Sequence, residues 1–374
     1  MFQITGSYGT ADVISDAITK TTRSKLMNIC NDRISINSEI NLMPNGYHIN
    51  GILNGLVMTI ASDRLSPLIV NPDIGCGILC CKIRTKGLPN LDRLDYVIRH
   101  TIPSGNRIRK VRAEKIPFER TFKSRKLVCS NVVDMSQCIN SIGTLGAGEH
   151  YIQLAEASDG YYLIIHSGSR LYGRYMHQYY SALYTGKNEL IDMGSGDKQQ
   201  SSAKFKVVDF ARDATTLYHI AYSNRAAICY IIALNMGWNY EIIADKTHDY
   251  IMGVLSGGYI MRNSVQAAHP GTKVIVPSNT VDGIILGTAK DNSENYMNSA
   301  PGSAGRIHSK ADIKKYTLSD YQRAMKGIYC TTISQKNIYT APMAYNSLDY
   351  ITNAMSWIKV DKILKPIYMF KPII

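Results

Sequence analysis

The apolar residues of this chain fall in short runs, ILCCKI, YYLII, YIMR, KVIVP and GIILG, with glycine, asparagine and proline clustered between them. Runs that short, punctuated by turn formers, read as buried strands. Residues 40–84 follow this pattern and predict strands joined by loops. Helical spacing interrupts it. Residues 8–30 read as a polar helix, and Leu91 to His100 as a helix that starts behind Asn90. Residues 205–236 read as one or two helices, and 318–328 and 347–358 as closing helices. The tail PIYMFKPII is apolar and broken by proline. Strands and helices alternate without a strict βαβ order, and no linker separates two halves. The expectation is an α+β fold: one mixed α/β domain over residues 1–374, with a β-rich centre and helices around it. A chain of 374 residues is long enough for a sizeable core.

Several classes are excluded at this stage. The longest apolar run, Ala226 to Trp238, is too short to span a bilayer. The start, MFQITGSYGTADVISD, lacks the basic-then-apolar plan of a secretory leader. The eight cysteines are irregularly spaced, without a disulfide framework or a CxxC pair. These features predict a soluble cytoplasmic protein with free thiols. Its formal charge is +13, and nine Lys or Arg lie between Arg107 and Lys126 (107, 109, 110, 112, 115, 120, 123, 125 and 126). Nucleic acid is the natural partner of such a surface. The alternative is a solvated loop in a basic protein. The 25 tyrosines could stack on bases, but an A/T-rich genome would produce the same count.

A small set of residues carries candidate chemistry. His150 follows two glycines in GTLGAGEHYIQL. His166 sits where YYLII meets the turn HSGSR, and His248 lies in KTHDY. Asp73 and Cys76 lie in the turn PDIGCG that leads into ILCCKI. All five are at ends of expected elements, where side chains can converge. One Asp, one Cys and three His suffice to bind one or two divalent ions. A thiolate can bridge two ions, and the carboxylate makes the set hard enough for manganese. Each histidine alone could equally be a hydrogen-bonded structural residue.

In their order along the chain these motifs resemble the RtcB family of RNA ligases. PDIGCGILCCKI resembles that family's Asp- and Cys-bearing signature, GTLGAGEHYIQL its G-T-L-G-x-G-N-H-F stretch, and HSGSRLYG its H-T-G-S-R-G-L-G. THDY, GSAGRIHSK, APMAY, the terminal PIYMFKP and the early LMPNGYH resemble further segments, so the likeness runs from about residue 40 to the C-terminus. The resemblance implies that Asp73, Cys76, His150, His166 and His248 bind two manganese ions, with the cysteine bridging. It implies joining of RNA 3'-phosphate or 2',3'-cyclic phosphate ends to 5'-hydroxyl ends with GTP, in RNA repair or tRNA processing. It assigns Glu149, Arg262, Gly302, Ser303, Ala304, Gly305, Arg306, Tyr345 and Lys371 to the nucleotide. Tyr345 would stack on guanine and Lys371 would contact its edge. A helper protein is a further implied partner, of unknown identity.

The departures are as specific as the matches. The histidine that takes up guanylate in the family falls at Gly302, which has no side chain. The Asn before the first histidine ligand is Glu149, and the early Asp is Asn45. Met261 to Ser264 keep only Arg262 of a second segment. Pro277 to Thr280 lack the glycines of a phosphate loop. Three readings follow. Another histidine, His308 or His269, serves as nucleophile. Or the chain performs metal-assisted hydrolysis at RNA ends. Or it binds such ends without turnover.

If the basic run is the RNA track, converting its cations to Gln reduces the slope of log affinity against log salt. The expected reduction is about 0.7 to 0.9 per lost phosphate contact, measured by salt titration of RNA binding. An unchanged slope removes this segment from the interface.

Overall fold

The structure, a computed structural model, describes residues 1–49, 51–110, 127–185, 205–255, 257–308 and 312–373. Of the basic run, Val111 to Lys126 lie outside the described residues. Arg109, inside them, is an internal tie: it donates to the carbonyls of Thr101, Ile142 and Gly143.

Two large sheets carry the mixed α+β architecture. The first runs β1 (Phe2–Thr5), β2 (Thr10–Val13), β3 (Ile40–Ile49), β4 (Ile52–Ile60), β10 (Tyr259–Asn263), β9 (Asp249–Gly253), antiparallel except between β2 and β3. The second runs β12 (Lys273–Pro277), β13 (Ile284–Ala289), β15 (Ile358–Phe370), β6 (Tyr151–Ala157), β7 (Gly160–Ser167), β5 (Gly77–Arg84), β8 (Asn239–Thr247) and is antiparallel throughout. Its outer strands β12 and β8 approach one another, so the sheet curls toward closure. A short pair, β11 (Val265–Ala267) with β14 (Ser299–Pro301), lies between the two.

The absence of polar alternation in ILCCKI has a direct cause. Successive residues of a strand face opposite sides. Leu79 and Cys81 pack with Ile228, Cys229 and Ile232 of the long helix Val207–Met236. Ile78 and Cys80 pack with Ile275, Ile284 and Leu286 on the other side. With both faces covered, both must be apolar. All eight cysteines are free, and Cys81 and Cys229 bring their sulfurs within 3.2 Å. Among the described residues no helix is long and apolar enough to cross a membrane.

Expected elements stand at β5, β7, β10, β12 and β13, at a helix Leu91–Thr101 capped by the Asn90 side chain, and at the single helix Val207–Met236. Two expectations are corrected. The segment 8–30 is not one helix. Ala11 and Val13 are buried in β2 between β1 and β3, and the helix Lys20–Cys30 begins only behind Thr19, whose hydroxyl accepts from the Thr22 amide. The closing helices are shorter, Leu318–Ala324 and Leu348–Asn353. The apolar tail is strand β15, and its register slips beside Pro366, which lacks a donor for the ladder.

One buried side chain ties these parts together. Arg225, fully buried on the long helix, pairs with Asp245 of β8 through Nε at 2.6 Å and Nη2 at 2.5 Å. Its Nη1 donates to Gly75 O at 2.8 Å and Ser167 O at 2.9 Å, and Nη2 to Thr247 Oγ1 at 3.0 Å. Those acceptors belong to the starts or ends of three adjacent strands. Replacing Arg225 by Met leaves Asp245 uncompensated in the interior. The expected cost is about 3 to 5 kcal/mol in chemical denaturation. A loss within about 0.5 kcal/mol contradicts the clamp.

Candidate metal centre and its two clefts

Neighbouring antiparallel strands begin where their partners end. In the order β6–β7–β5–β8, the start of β6 therefore meets the end of β7, the start of β5 and the end of β8. His150 directly precedes β6, and His166 is the penultimate residue of β7, opposite Tyr151. Cys76 directly precedes β5, and His248 directly follows β8. Asp73 reaches in from the turn before Cys76, whose amide donates to the Asp73 carbonyl at 2.9 Å.

The five side chains meet. Cys76 Sγ lies 3.2 Å from His166 Nε2 and 3.4 Å from His150 Nε2. His166 Nε2 lies 3.2 Å from His248 Nε2, and His150 Nε2 lies 2.8 Å from Asp73 Oδ2. They form two groups that share the sulfur: Cys76, His166, His248 and Asp73, Cys76, His150. The other ring nitrogens of His150 and His166 are occupied. His150 Nδ1 is 2.9 Å from Leu145 O and His166 Nδ1 is 3.1 Å from Glu149 O. Protons held at Nδ1 leave both Nε2 lone pairs aimed inward.

The electrostatics favour a cation. Burial, with His248 and His150 adding to it, holds His166 well below the usual imidazole range. Burial, then Arg225, pushes His248 down to about 3. Burial and the Asp73 carboxylate hold the Cys76 thiol well above the usual thiol range. Against the upward pull of burial, His150 and Arg170 bring the Asp73 carboxyl below its usual value. Neutral imidazoles facing one another around a sulfur fit divalent ions, with the thiolate placed to serve two.

Two clefts flank this centre. One, of about 480 Å³, is lined by Asp73, His150, Asn106, Arg170, Arg174 and Tyr175, among others. Arg170 is nearly buried there, at φ +62°, with Nε 3.3 Å from Thr144 Oγ1. A Cβ on Gly146 would fall 1.9 Å from Arg170 Nη1, so this glycine makes room for the guanidinium. Sequence reading passed over Arg170 and Arg174; the HSGSR turn was the available signal for the first.

The other cleft has about 60 Å³ of space and includes Glu149, His166, Ser278, Thr280, Ser303, Ala304, Tyr345 and Lys371 in its lining. Most of the residues assigned to the nucleotide thus gather here, but already engaged. Arg306 Nη1 donates to Glu149 Oε1 at 2.8 Å and Tyr345 OH at 2.9 Å. Its Nη2 donates to Tyr339 O at 2.8 Å and its Nε to His308 O at 3.2 Å. The guanidinium lies 4.8 Å from the Tyr345 ring centre, over the ring. Lys371, which burial pushes down to about 8, donates to Thr280 Oγ1 at 2.8 Å and Thr340 O at 2.5 Å. Gly305 packs on Asn45, whose amide donates to Ser264 O and Ser303 Oγ. Arg262 is buried elsewhere, bonded to Ser299, Tyr250, Met297 and Asn298. Neither His269, exposed on a turn, nor His308, beside Tyr316, lines the cleft.

Gly302 stands directly behind the centre. A Cβ there would lie 2.3 Å from His248 Cβ and 3.0 Å from its Nδ1. Gly302→Ala therefore displaces His248. It is expected to cost about 1 to 3 kcal/mol from overpacking and to lower metal content by elemental analysis. Full occupancy at unchanged stability would mean that this contact does not position His248.

Among known families, the one described as tRNA-splicing ligase RtcB matches residues 129–374, roughly two thirds of the chain. The match includes the three histidines. Asp73 and Cys76 precede it and join the histidines through the fold. No curated protein matches the chain.

Proposed function

This chain belongs to the tRNA-splicing ligase RtcB family, and from that membership we propose that it acts on RNA ends at a centre of two manganese ions held by Asp73, Cys76, His150, His166 and His248. The observation that carries the metal part is the five-residue convergence, with Cys76 shared by both groups. Bound there, divalent ions would neutralise phosphate charge and ease loss of a hydroxyl proton.

The protein's own residues do the rest. Arg170 and Arg174, in the cleft that also contains Asp73 and His150, supply cationic donors for a terminal phosphate. Leu145 O and Glu149 O hold the His150 and His166 rings with Nε2 inward. Arg225 holds the strand ends that carry Cys76, His166 and His248. The ends handled are an RNA 3'-phosphate or 2',3'-cyclic phosphate and a 5'-hydroxyl, in RNA repair or tRNA splicing, and joining of the 3'-phosphate would need GTP as its activating group. The side chains that line the cleft that would hold GTP are already engaged with one another. A second reading, hydrolysis of the same ends by water, is favoured by the missing side chain at position 302.

Elemental analysis of manganese-loaded protein is expected to return two ions per chain. Cys76→Ala is expected to lose both, since each group uses the sulfur. RNA ending in 3'-phosphate is expected to bind more tightly than RNA ending in 3'-hydroxyl. Arg170→Met with Arg174→Met is expected to remove most of that preference, roughly tenfold or more for a charged hydrogen-bonded contact. A metal-free wild type, or equal binding of the two ends, defeats the proposal.

A further inference from the structure

The two clefts differ in one physical respect: the arginine-lined cleft has about 480 Å³ of space and the one that gathers the nucleotide residues about 60 Å³. Four features of the surrounding residues bear on whether a nucleotide fits it. Position 302 faces the centre with no space for any side chain, because its Cβ would sit 2.3 Å from His248. The loop Pro277 to Gly283 engages three of its amides within itself. Ser278 N donates to Gly283 O, and the amides of Val281 and Asp282 both donate to Asn279 Oδ1, at 3.0 Å each.

Glu149 supplies the third feature. Its carboxylate takes the Arg306 guanidinium and the Tyr345 hydroxyl, at 2.8 and 3.1 Å, where an incoming phosphate would compete for them. The same guanidinium covers the Tyr345 ring, the surface on which a base would stack. Fourth, Lys371 is turned onto Thr280 and Thr340. The remaining space of about 60 Å³ takes a few water molecules and no nucleoside. These residues do not fit a nucleoside triphosphate.

That disagreement bears on the substrate. Joining a 3'-phosphate to a 5'-hydroxyl expels water and requires an activating group. A 2',3'-cyclic phosphate carries its own activation, as ring strain and an O2' leaving group. We infer that this chain joins RNA ends without any nucleotide, and that the 2',3'-cyclic phosphate is the only end it joins. In the step, the 5'-oxygen forms a bond to phosphorus and the phosphorus–O2' bond breaks. The proton of the 5'-hydroxyl ends on O2', and a 3',5'-phosphodiester results. Atoms balance with no water or pyrophosphate released. Arg170 and Arg174 in the larger cleft are available to the cyclic phosphate.

The inference rests on the RNA-end reading above, and its test is separate. Manganese-loaded wild-type protein is dialysed against α-labelled GTP and then denatured. No retained and no covalent label is expected. The same protein is mixed with 5'-hydroxyl RNA and, in parallel, RNA ending in cyclic phosphate or in 3'-phosphate, with and without GTP. Joined product from the cyclic end alone, at a rate GTP changes less than twofold, supports the inference. Bound or covalent guanylate, joining of the 3'-phosphate, or joining that requires GTP overturns it. Conversion of the cyclic end only to a monoester, with acceptor present, overturns it as well. The RNA-end reading survives each of these results, since it fails only on metal content and end binding.

Discussion

The candidate site depends on a single buried cation. Arg225 reaches from the long helix into the junction of β5, β7 and β8 and hydrogen-bonds to Gly75, Ser167 and Thr247, each one residue from a residue of the centre. Its charge is matched by Asp245 through two short bonds. A guanidinium suits this place because its donors lie in one plane with fixed divergence and can reach separate backbone segments at once. Lysine would carry the charge but not the fork. Asn224, next on the helix, continues the tie to Thr144, Ser167 and Gly168. The helix thus both covers one face of the large sheet and sets the spacing of the strand ends.

Around that frame the centre is rigid on one side and open on the other. Inward-aimed Nε2 atoms, a buried thiol and a carboxylate held low by its neighbours form a donor set that lacks only positive charge. The Arg170 cleft can accept a polyanion. In the opposite cleft the polar groups have found partners within the protein. Glu149 is central to this change: in place of an amide it brings a carboxylate, and the carboxylate captures Arg306 and Tyr345. Gly302 and Asn45 belong to the same change, since Asn45 now donates to Ser303 and Ser264 beside a position where no side chain fits.

Much of the fold was legible in the residues. Strands buried on both faces announce themselves as apolar runs between turn formers, and ILCCKI, YYLII, KVIVP and GIILG all became strands of one sheet. The Asn90 cap marked a helix start. Segment 8–30 misled because its polar residues suit a helix surface equally well, and only pairing with β1 and β3 buries Ala11 and Val13 as a strand. The tail carries Pro366 within its strand, and a bulge beside that residue lets the ladder continue.

By itself the sequence determined the donor types, their positions at element ends, the family signature and the loss of a side chain at 302. Those are local properties, carried by residue identity and spacing. Tertiary structure alone decided that Asp73 and Cys76 meet three histidines up to 175 positions away (248 less 73). It also decided that Arg225 holds them and that one cleft is large while the other is small. Convergence depends on the antiparallel order β6–β7–β5–β8, which no local pattern encodes. The state of a cleft depends on which partners a polar group finds, and Glu149, Arg306 and Tyr345 find one another across 196 residues of chain.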